Sequence, residues 1–108
     1  MKDAAIYLRV STIQQDYTRQ KNELIELVTR DGYNIKYIFE EKITGRNDER
    51  PEFMKLQQLT YNDIQRIYVW EISRLSRRAA KILDVCDEFA DKHISIHSKK
   101  ENIYTLED

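Results

Sequence analysis

The sequence predicts an α/β fold, a three-layer α/β/α arrangement with a mainly parallel central sheet. Three observations lead there. Short apolar runs rich in strand formers alternate with amphipathic segments of helical spacing, in the order βαβαβαβ. Glycine and proline number only 2 and 1, so few loops can be long or tightly turned. A chain of 108 residues is long enough for one domain around a single core, and it carries no internal repeat or low-complexity segment.

Ala4 to Val10 (AAIYLRV) is a short apolar run, the pattern of a central strand buried on both faces. Asp16 is placed to cap the helix that follows, in which Tyr17, Leu24, Leu27 and Val28 recur at helical spacing among polar residues. Asp31-Gly32 ends that helix, because glycine enters the left-handed C-terminal conformation at little cost. Tyr33 to Phe39 alternates and reads as a second strand. Glu40 to Arg50 is the one polar, loop-like stretch. Pro51 opens a second helix in the first turn, where its missing N–H costs nothing, and Phe53, Leu56 and Leu59 form its apolar face. Arg66 to Trp70 is a third strand, residues 71–77 are a loop, and Arg78 to Lys92 is a third helix with Ile82, Val85, Cys86 and Phe89 inward. Ile94-Ser95-Ile96 is a short fourth strand, and Asn102 to Asp108 reads as a polar tail.

Composition narrows the function. A hydrophobic fraction of 41% and a charged fraction of 34% describe an ordinary soluble protein. No apolar stretch approaches the roughly 18 residues that span a membrane, and Lys2-Asp3 leads directly into the first strand, so no signal peptide is expected. The single cysteine, Cys86, excludes an internal disulfide and fits a reducing, cytoplasmic compartment. The net charge of −1 lacks the basic excess of a free-standing DNA binder, so any DNA bound by this domain should be held mostly by another domain or partner.

Crossovers in a parallel sheet are right-handed, and its ligands bind beyond the carboxyl ends of the strands, where strand order reverses. Arg9 and Ser11 stand at the end of the first strand, and Arg74 and Arg77 stand just past the third. Both sets therefore fall on one edge of the molecule. A serine after a first strand ordinarily caps the next helix. Arg9, two residues earlier on the same strand face, changes that reading, because an arginine at a sheet end is costly without an anion to meet. Arg74, Arg77 and Arg78 crowd a helix N-terminus, where positive charge opposes the helix dipole and a phosphate would relieve the conflict. No Gly-rich phosphate loop and no Gly-x-Ser-x-Gly elbow is present. Arg46, Gln14 and Gln15 alone read as solvated loop residues, and Tyr7 and Trp70 as core aromatics. His93 and His97 share no helical face, make a poor metal pair, and read as structural.

Four motifs in order then resemble one family across nearly the whole chain, the catalytic domain of the serine recombinases (resolvases and invertases). Tyr7-x-Arg9-Val10-Ser11-Thr12 resembles its nucleophile motif, with Gln14 and Gln15 where glutamines often follow. Thr44-Gly45 with Arg50-Pro51 and Phe53 resembles the segment carrying a further active-site arginine. Ser73-Arg74-Leu75-Ser76-Arg77 resembles the Asp-Arg-Leu-x-Arg motif, with Ser73 in place of the family's aspartate. Glu101 to Thr105 resembles the segment before the family's long helix. The resemblance implies a resolvase-like fold, and a catalytic set of Ser11, Arg9, Arg50, Arg74 and Arg77, supported by Tyr7, Gln14, Arg46 and Ser73. It implies no metal and no cofactor, DNA as partner, and self-association to dimer and tetramer in the full-length protein. On this reading residues 1–108 are a single catalytic domain, cut off before the long helix and a C-terminal DNA-binding domain, and not competent alone. The competing reading is a non-catalytic α/β regulatory or interaction module, in which Ser11 and the arginines would not converge. A metal-dependent nuclease or Toprim-like domain would need paired acidic motifs at strand ends, which the sequence lacks.

Overall fold

A computed structural model describes residues 2–10, 14–42 and 50–106. Its strands are β1 (Asp3–Val10), β2 (Asn34–Lys42), β3 (Arg66–Val69), β4 (Ser95–Ser98) and β5 (Ile103–Tyr104). Its helices are α1 (Gln14–Arg30), α2 (Pro51–Gln57) and α3 (Ala79–Asp91), with a 3-10 turn at Ile72–Arg74. The strands form one sheet in the order β2-β1-β3-β4-β5. β1 pairs in parallel with β2 and β3, and β3 pairs in parallel with β4. Only the edge pair, β4 with β5, is antiparallel.

Alternation along β1 builds a core on each face of the sheet. Ala4, Ile6 and Leu8 face Leu24, Leu27 and Val28 of α1. Ala5 and Tyr7 face the opposite side, with Phe53 and Leu56 of α2 and Phe89 of α3. Full burial of a side chain such as Leu24 contributes about 1.5–3 kcal/mol, and Leu24, Leu56 and Phe89 are all fully buried. The predicted three-layer arrangement is therefore present, with α1 on one side and α2 and α3 on the other.

Helix α1 closes as its sequence foretells. Gly32 takes φ +82, its N–H donates to the Thr29 carbonyl, and the Tyr33 N–H donates to the Val28 carbonyl. These are the paired bonds that satisfy the last carbonyls of a helix. Its start differs from expectation. The helix begins at Gln14, so Asp16 lies in the first turn, where its charge favours the helix dipole instead of capping.

Two further differences bear on the site. β2 runs past Phe39 to Lys42, because Glu40 and Glu41 continue the pairing register opposite Leu8 and Arg9. The segment read as a polar tail contains β5, held by pairing with β4 and by the Tyr104 ring stacked on His97 at 4.0 Å. A two-residue strand is too short to show any period in sequence.

The strand order places the functional edge. The chain leaves β1 for β2 on one side, then crosses to β3 on the other. The carboxyl ends of β1 and β3 thus flank the point where strand order reverses, the usual ligand crevice of such sheets.

Candidate active site

Tyr7 and Arg9 share one face of β1 by alternation, and the site grows from this pair. Tyr7 is fully buried. Its hydroxyl donates to Glu41 Oε1 at 3.1 Å and accepts from Arg50 Nε and Nη2 at 3.4 and 3.3 Å. Burial pushes the Tyr7 hydroxyl up to about 12, so it keeps its proton.

Glu41, 4% exposed at the end of β2, is the hub beneath this tyrosine. Oε1 also accepts from the Phe53 N–H at 3.0 Å, and Oε2 accepts from the Glu52 N–H at 3.2 Å. These amides belong to the first turn of α2, whose donors have no partner within the helix. One carboxylate therefore fixes both the start of α2 and the Tyr7 hydroxyl. Glu41→Ala should lower the unfolding free energy by about 2–3 kcal/mol, because buried donors left without an acceptor cost about 1–3 kcal/mol. Denaturant titration checks this, and a change within about 0.5 kcal/mol, the usual range of surface substitutions, would contradict it.

Arg50 stands immediately before Pro51 and reaches across to the junction between β3 and α3. Nη1 donates to the Leu75 carbonyl at 2.7 Å and Nη2 to the Arg74 carbonyl at 2.8 Å. Its guanidinium lies 3.8 Å from the Phe53 ring centre. All three of its nitrogens are thus directed at oxygens of the scaffold, and they tie the arginine-bearing turn to Tyr7 and α2. Arg50 also walls an open groove between α2 and α3 of about 590 Å³, lined largely by Phe53, Met54, Leu75 and Val85.

Arg74 closes the 3-10 turn. Its Nη2 lies 3.9 Å from Glu71 Oε1, within ion-pair range but beyond a hydrogen bond. Ser73 is exposed, and its hydroxyl donates to the same Glu71 oxygen at 2.8 Å. The Ser73 hydrogen bond, then Lys100 and the charge of Arg74, hold the Glu71 carboxyl below the usual glutamate range. Arg77 and Arg78 follow, both exposed, with Arg78 at the N-cap of α3.

These arginines act on one another electrostatically. Burial first, then the charge of Arg74, with further pushes from Arg77 and Arg50, lowers the Arg9 guanidinium from its ordinary value. An arginine stays protonated regardless; beyond burial, the charges of Arg74, Arg77 and Arg50 reach Arg9 from other segments, and an anion placed among them would be attracted by all four.

Of the sequence-predicted site residues, Tyr7, Arg9, Arg50, Arg74 and Arg77 meet at this edge, and Ser73 lies beside Arg74 through Glu71. Ser11, Arg46 and the Gln14 side chain lie outside the described residues. The sequence reading missed Glu41 and Glu71. A signal for Glu41 exists: it follows Phe39 by two positions on the same strand face, so extending β2 would have predicted its burial. Among the described residues, no group of three or more His, Cys, Asp or Glu is placed to hold a metal ion, and no helix is long and apolar enough to cross a membrane.

Comparison with known proteins places the whole chain. The family described as "Resolvase, N terminal domain" matches residues 4–108. The chain is 34% identical over 96 residues to the Transposon Tn1546 resolvase of Enterococcus faecium, covering 88% of this chain and 46% of that protein. It is 29% identical over 99 residues to the DNA-invertase hin of Salmonella typhimurium, covering 92% and 48%. The chain thus spans about half the length of the curated relatives it matches. Among solved structures, the N-terminal catalytic domain of TP901-1 integrase superposes with a TM-score of 0.81 at 28% identity, over 96% of this chain and 82% of that one. A resolvase family site-specific recombinase from Streptococcus pneumoniae reaches 0.82 over 100% and 78%, at a 20% identity that speaks to the fold alone.

Proposed function

The chain belongs to the resolvase N-terminal domain family, and from that membership we propose that it is the part of a site-specific recombinase that cuts and rejoins DNA, with Ser11 as nucleophile. The Ser11 hydroxyl attacks a backbone phosphorus. The bond to the 3′-oxygen breaks, its electron pair leaves with that oxygen, and a proton restores the 3′-hydroxyl. The protein is left joined to the 5′-phosphate as a serine ester. Reversal by a 3′-hydroxyl of a partner strand releases Ser11 and reseals the DNA. The ester conserves the phosphodiester, so the cycle needs no nucleotide cofactor.

A serine hydroxyl is a weak nucleophile, and phosphoryl transfer depends on charge placed against the oxygens around phosphorus. In this proposal Arg9, Arg74 and Arg77 supply that charge, as planar donors suited to two phosphate oxygens at once. Arg50 acts through them, holding the turn that carries Arg74 and Leu75. Tyr7 and Glu41 hold Arg50 in turn. Gln14, Arg46 and Ser73 support the DNA or the loop around it.

One observation carries this reading: Arg50 hydrogen-bonds both the Tyr7 hydroxyl, on the β1 face that carries Arg9, and the carbonyls of Arg74 and Leu75, so arginine-bearing segments far apart in sequence are tied together at one edge. A non-catalytic α/β module would have no need to tie an arginine-bearing turn to the strand end that carries Arg9, at the ligand crevice. The net charge of −1 supports a division of labour in which other parts of the protein hold the DNA and assemble it into dimers and tetramers. Where many phosphoryl-transfer sites use a metal for charge neutralisation, the arginines here take that task. A denaturation-resistant adduct between the protein and DNA bearing its recombination site should therefore form at the same rate in EDTA. Loss of the adduct in EDTA, restored by magnesium, would contradict the arginine-based mechanism.

A further inference from the structure

Glu71 lies just past the end of β3, two residues before Ser73, the position at which the resembled motif carries an aspartate. Three contacts fix it. The Ser73 hydroxyl donates to Oε1 at 2.8 Å, Lys100 Nζ donates to Oε2 at 3.1 Å, and Arg74 Nη2 lies 3.9 Å from Oε1. The turn between β4 and β5 supplies more than Lys100. Glu101 Oε1 accepts from the Ile72 N–H at 3.1 Å and from the Ser98 hydroxyl. Two consecutive residues of that turn thus grip the 3-10 turn that carries Arg74, one through its main chain and one through Glu71.

Resting on the recombinase reading above, we propose that Glu71 is a positioning residue for Arg74, supplying from the end of β3 the carboxylate that the Ser73 position lacks. Arg74 would otherwise face the like charge of Arg9 with no carboxylate beside it. A carboxylate on its far side gives the guanidinium one preferred place. At 3.9 Å the pair is an electrostatic contact and not a hydrogen-bonded clasp, so the donors of Arg74 are not committed to it. An entering phosphate can take them while Glu71 still sets the direction from which they come. Ser73 contributes through its hydroxyl, by holding Glu71.

This arrangement separates catalysis from binding in sign. Removing a negative charge near the DNA backbone should leave affinity unchanged or raise it, whereas losing the orientation of Arg74 should slow the chemical step. A purely structural role for Glu71 would lower both together, with the melting temperature. The test uses the full-length protein that carries this chain and measures single-turnover adduct formation at saturating DNA. Glu71→Gln should slow it on the order of tenfold, the scale of one lost charge-assisted contact, with equal or tighter DNA binding and only the small drop in melting temperature that a lost surface ion pair brings. Adding Ser73→Asp to Glu71→Gln should restore the rate by returning a carboxylate beside Arg74. Ser73→Ala, at an exposed position the fold tolerates, should slow it by a smaller factor, and keeps the test open if Glu71→Gln does not fold.

Wild-type rates in Glu71→Gln or in Ser73→Ala would overturn the proposal. So would a slowed Glu71→Gln enzyme whose binding and melting temperature fall in step, or one that Ser73→Asp does not rescue. Ser11→Ala in the same assay distinguishes the two levels. An adduct in that variant overturns the assignment of the nucleophile, whereas a wild-type rate in Glu71→Gln beside an adduct-free Ser11→Ala overturns only the role of Glu71.

Discussion

Ser11→Ala is expected to abolish the covalent protein–DNA adduct while leaving binding to the recombination site intact. The hydroxyl is the only group the substitution removes, and on the proposed mechanism it is the atom that bonds to phosphorus. Thr12 is displaced by one residue along the chain, and a water molecule would give a free 5′-phosphate instead of an adduct. Binding should survive, because a chain of net charge −1 contributes little of the counterion release that holds proteins to DNA. Gel shift measures the second property and denaturing electrophoresis the first. A variant that loses both would point to a collapsed domain, and one that keeps the adduct would remove Ser11 from the mechanism.

Arg74→Ala and Arg77→Ala should each slow cleavage by about a hundredfold or more, corresponding to about 3 kcal/mol of transition-state stabilisation, as when one preorganised donor to a developing oxyanion is removed. Both arginines follow the end of β3, at the reversal of strand order, and both bear on Arg9. Cleavage should fall by far more than stability, and that difference separates a catalytic charge from a structural one. Arg50→Ala belongs to the other class. Its nitrogens meet the Tyr7 hydroxyl and the carbonyls of Arg74 and Leu75, so its removal should cost stability together with rate. Rates and melting temperatures measured side by side on the three variants decide the matter, and a stabilised or unchanged Arg50→Ala protein would contradict the frame assigned to it.

Much of this was legible before the structure, for identifiable reasons. β1 is readable because both of its faces are buried, so its apolar run is unbroken through Leu8. α1 is readable because its buried Leu24, Leu27 and Val28 keep helical spacing and Gly32 marks its end. The position of Arg9 followed from strand alternation, and that of Arg74 and Arg77 from their place after a strand. What stayed hidden depends on long-range contacts. The hydrogen bonds of Arg50 run to carbonyls 24 and 25 residues away, and backbone oxygens leave no mark on the sequence. Glu41 looked like part of a polar loop, because its burial is decided by Tyr7 and the α2 amides and not by its own neighbours. Glu71 followed an apolar strand without any motif to draw attention to it. β5 is two residues long and depends on β4 and the His97 ring.

These hidden contacts also explain how a cluster of cations survives at the edge of a small domain. Glu41 compensates it from beneath, through Tyr7 and Arg50, and Glu71 compensates it from the side, through Arg74. On the proposed mechanism the two carboxylates hold the frame, and an incoming anion meets the arginines. The proposed site rests on the sheet: strand alternation puts Tyr7 and Arg9 on one face, strand order brings the end of β3 beside the end of β1, and the turn after β3 adds Arg74 and Arg77.

The most direct test of the central claim is the position of the phosphorus. DNA bearing a recombination site, nicked so that cleavage cannot reverse, is incubated in EDTA with the protein that carries this chain. The adduct is digested with protease and nuclease, and the modified peptide is sequenced by mass spectrometry. The mechanism predicts a nucleotide joined through its 5′-phosphate to Ser11. A nucleotide on any other side chain, or a 5′-phosphate released without passing through the protein, would contradict it.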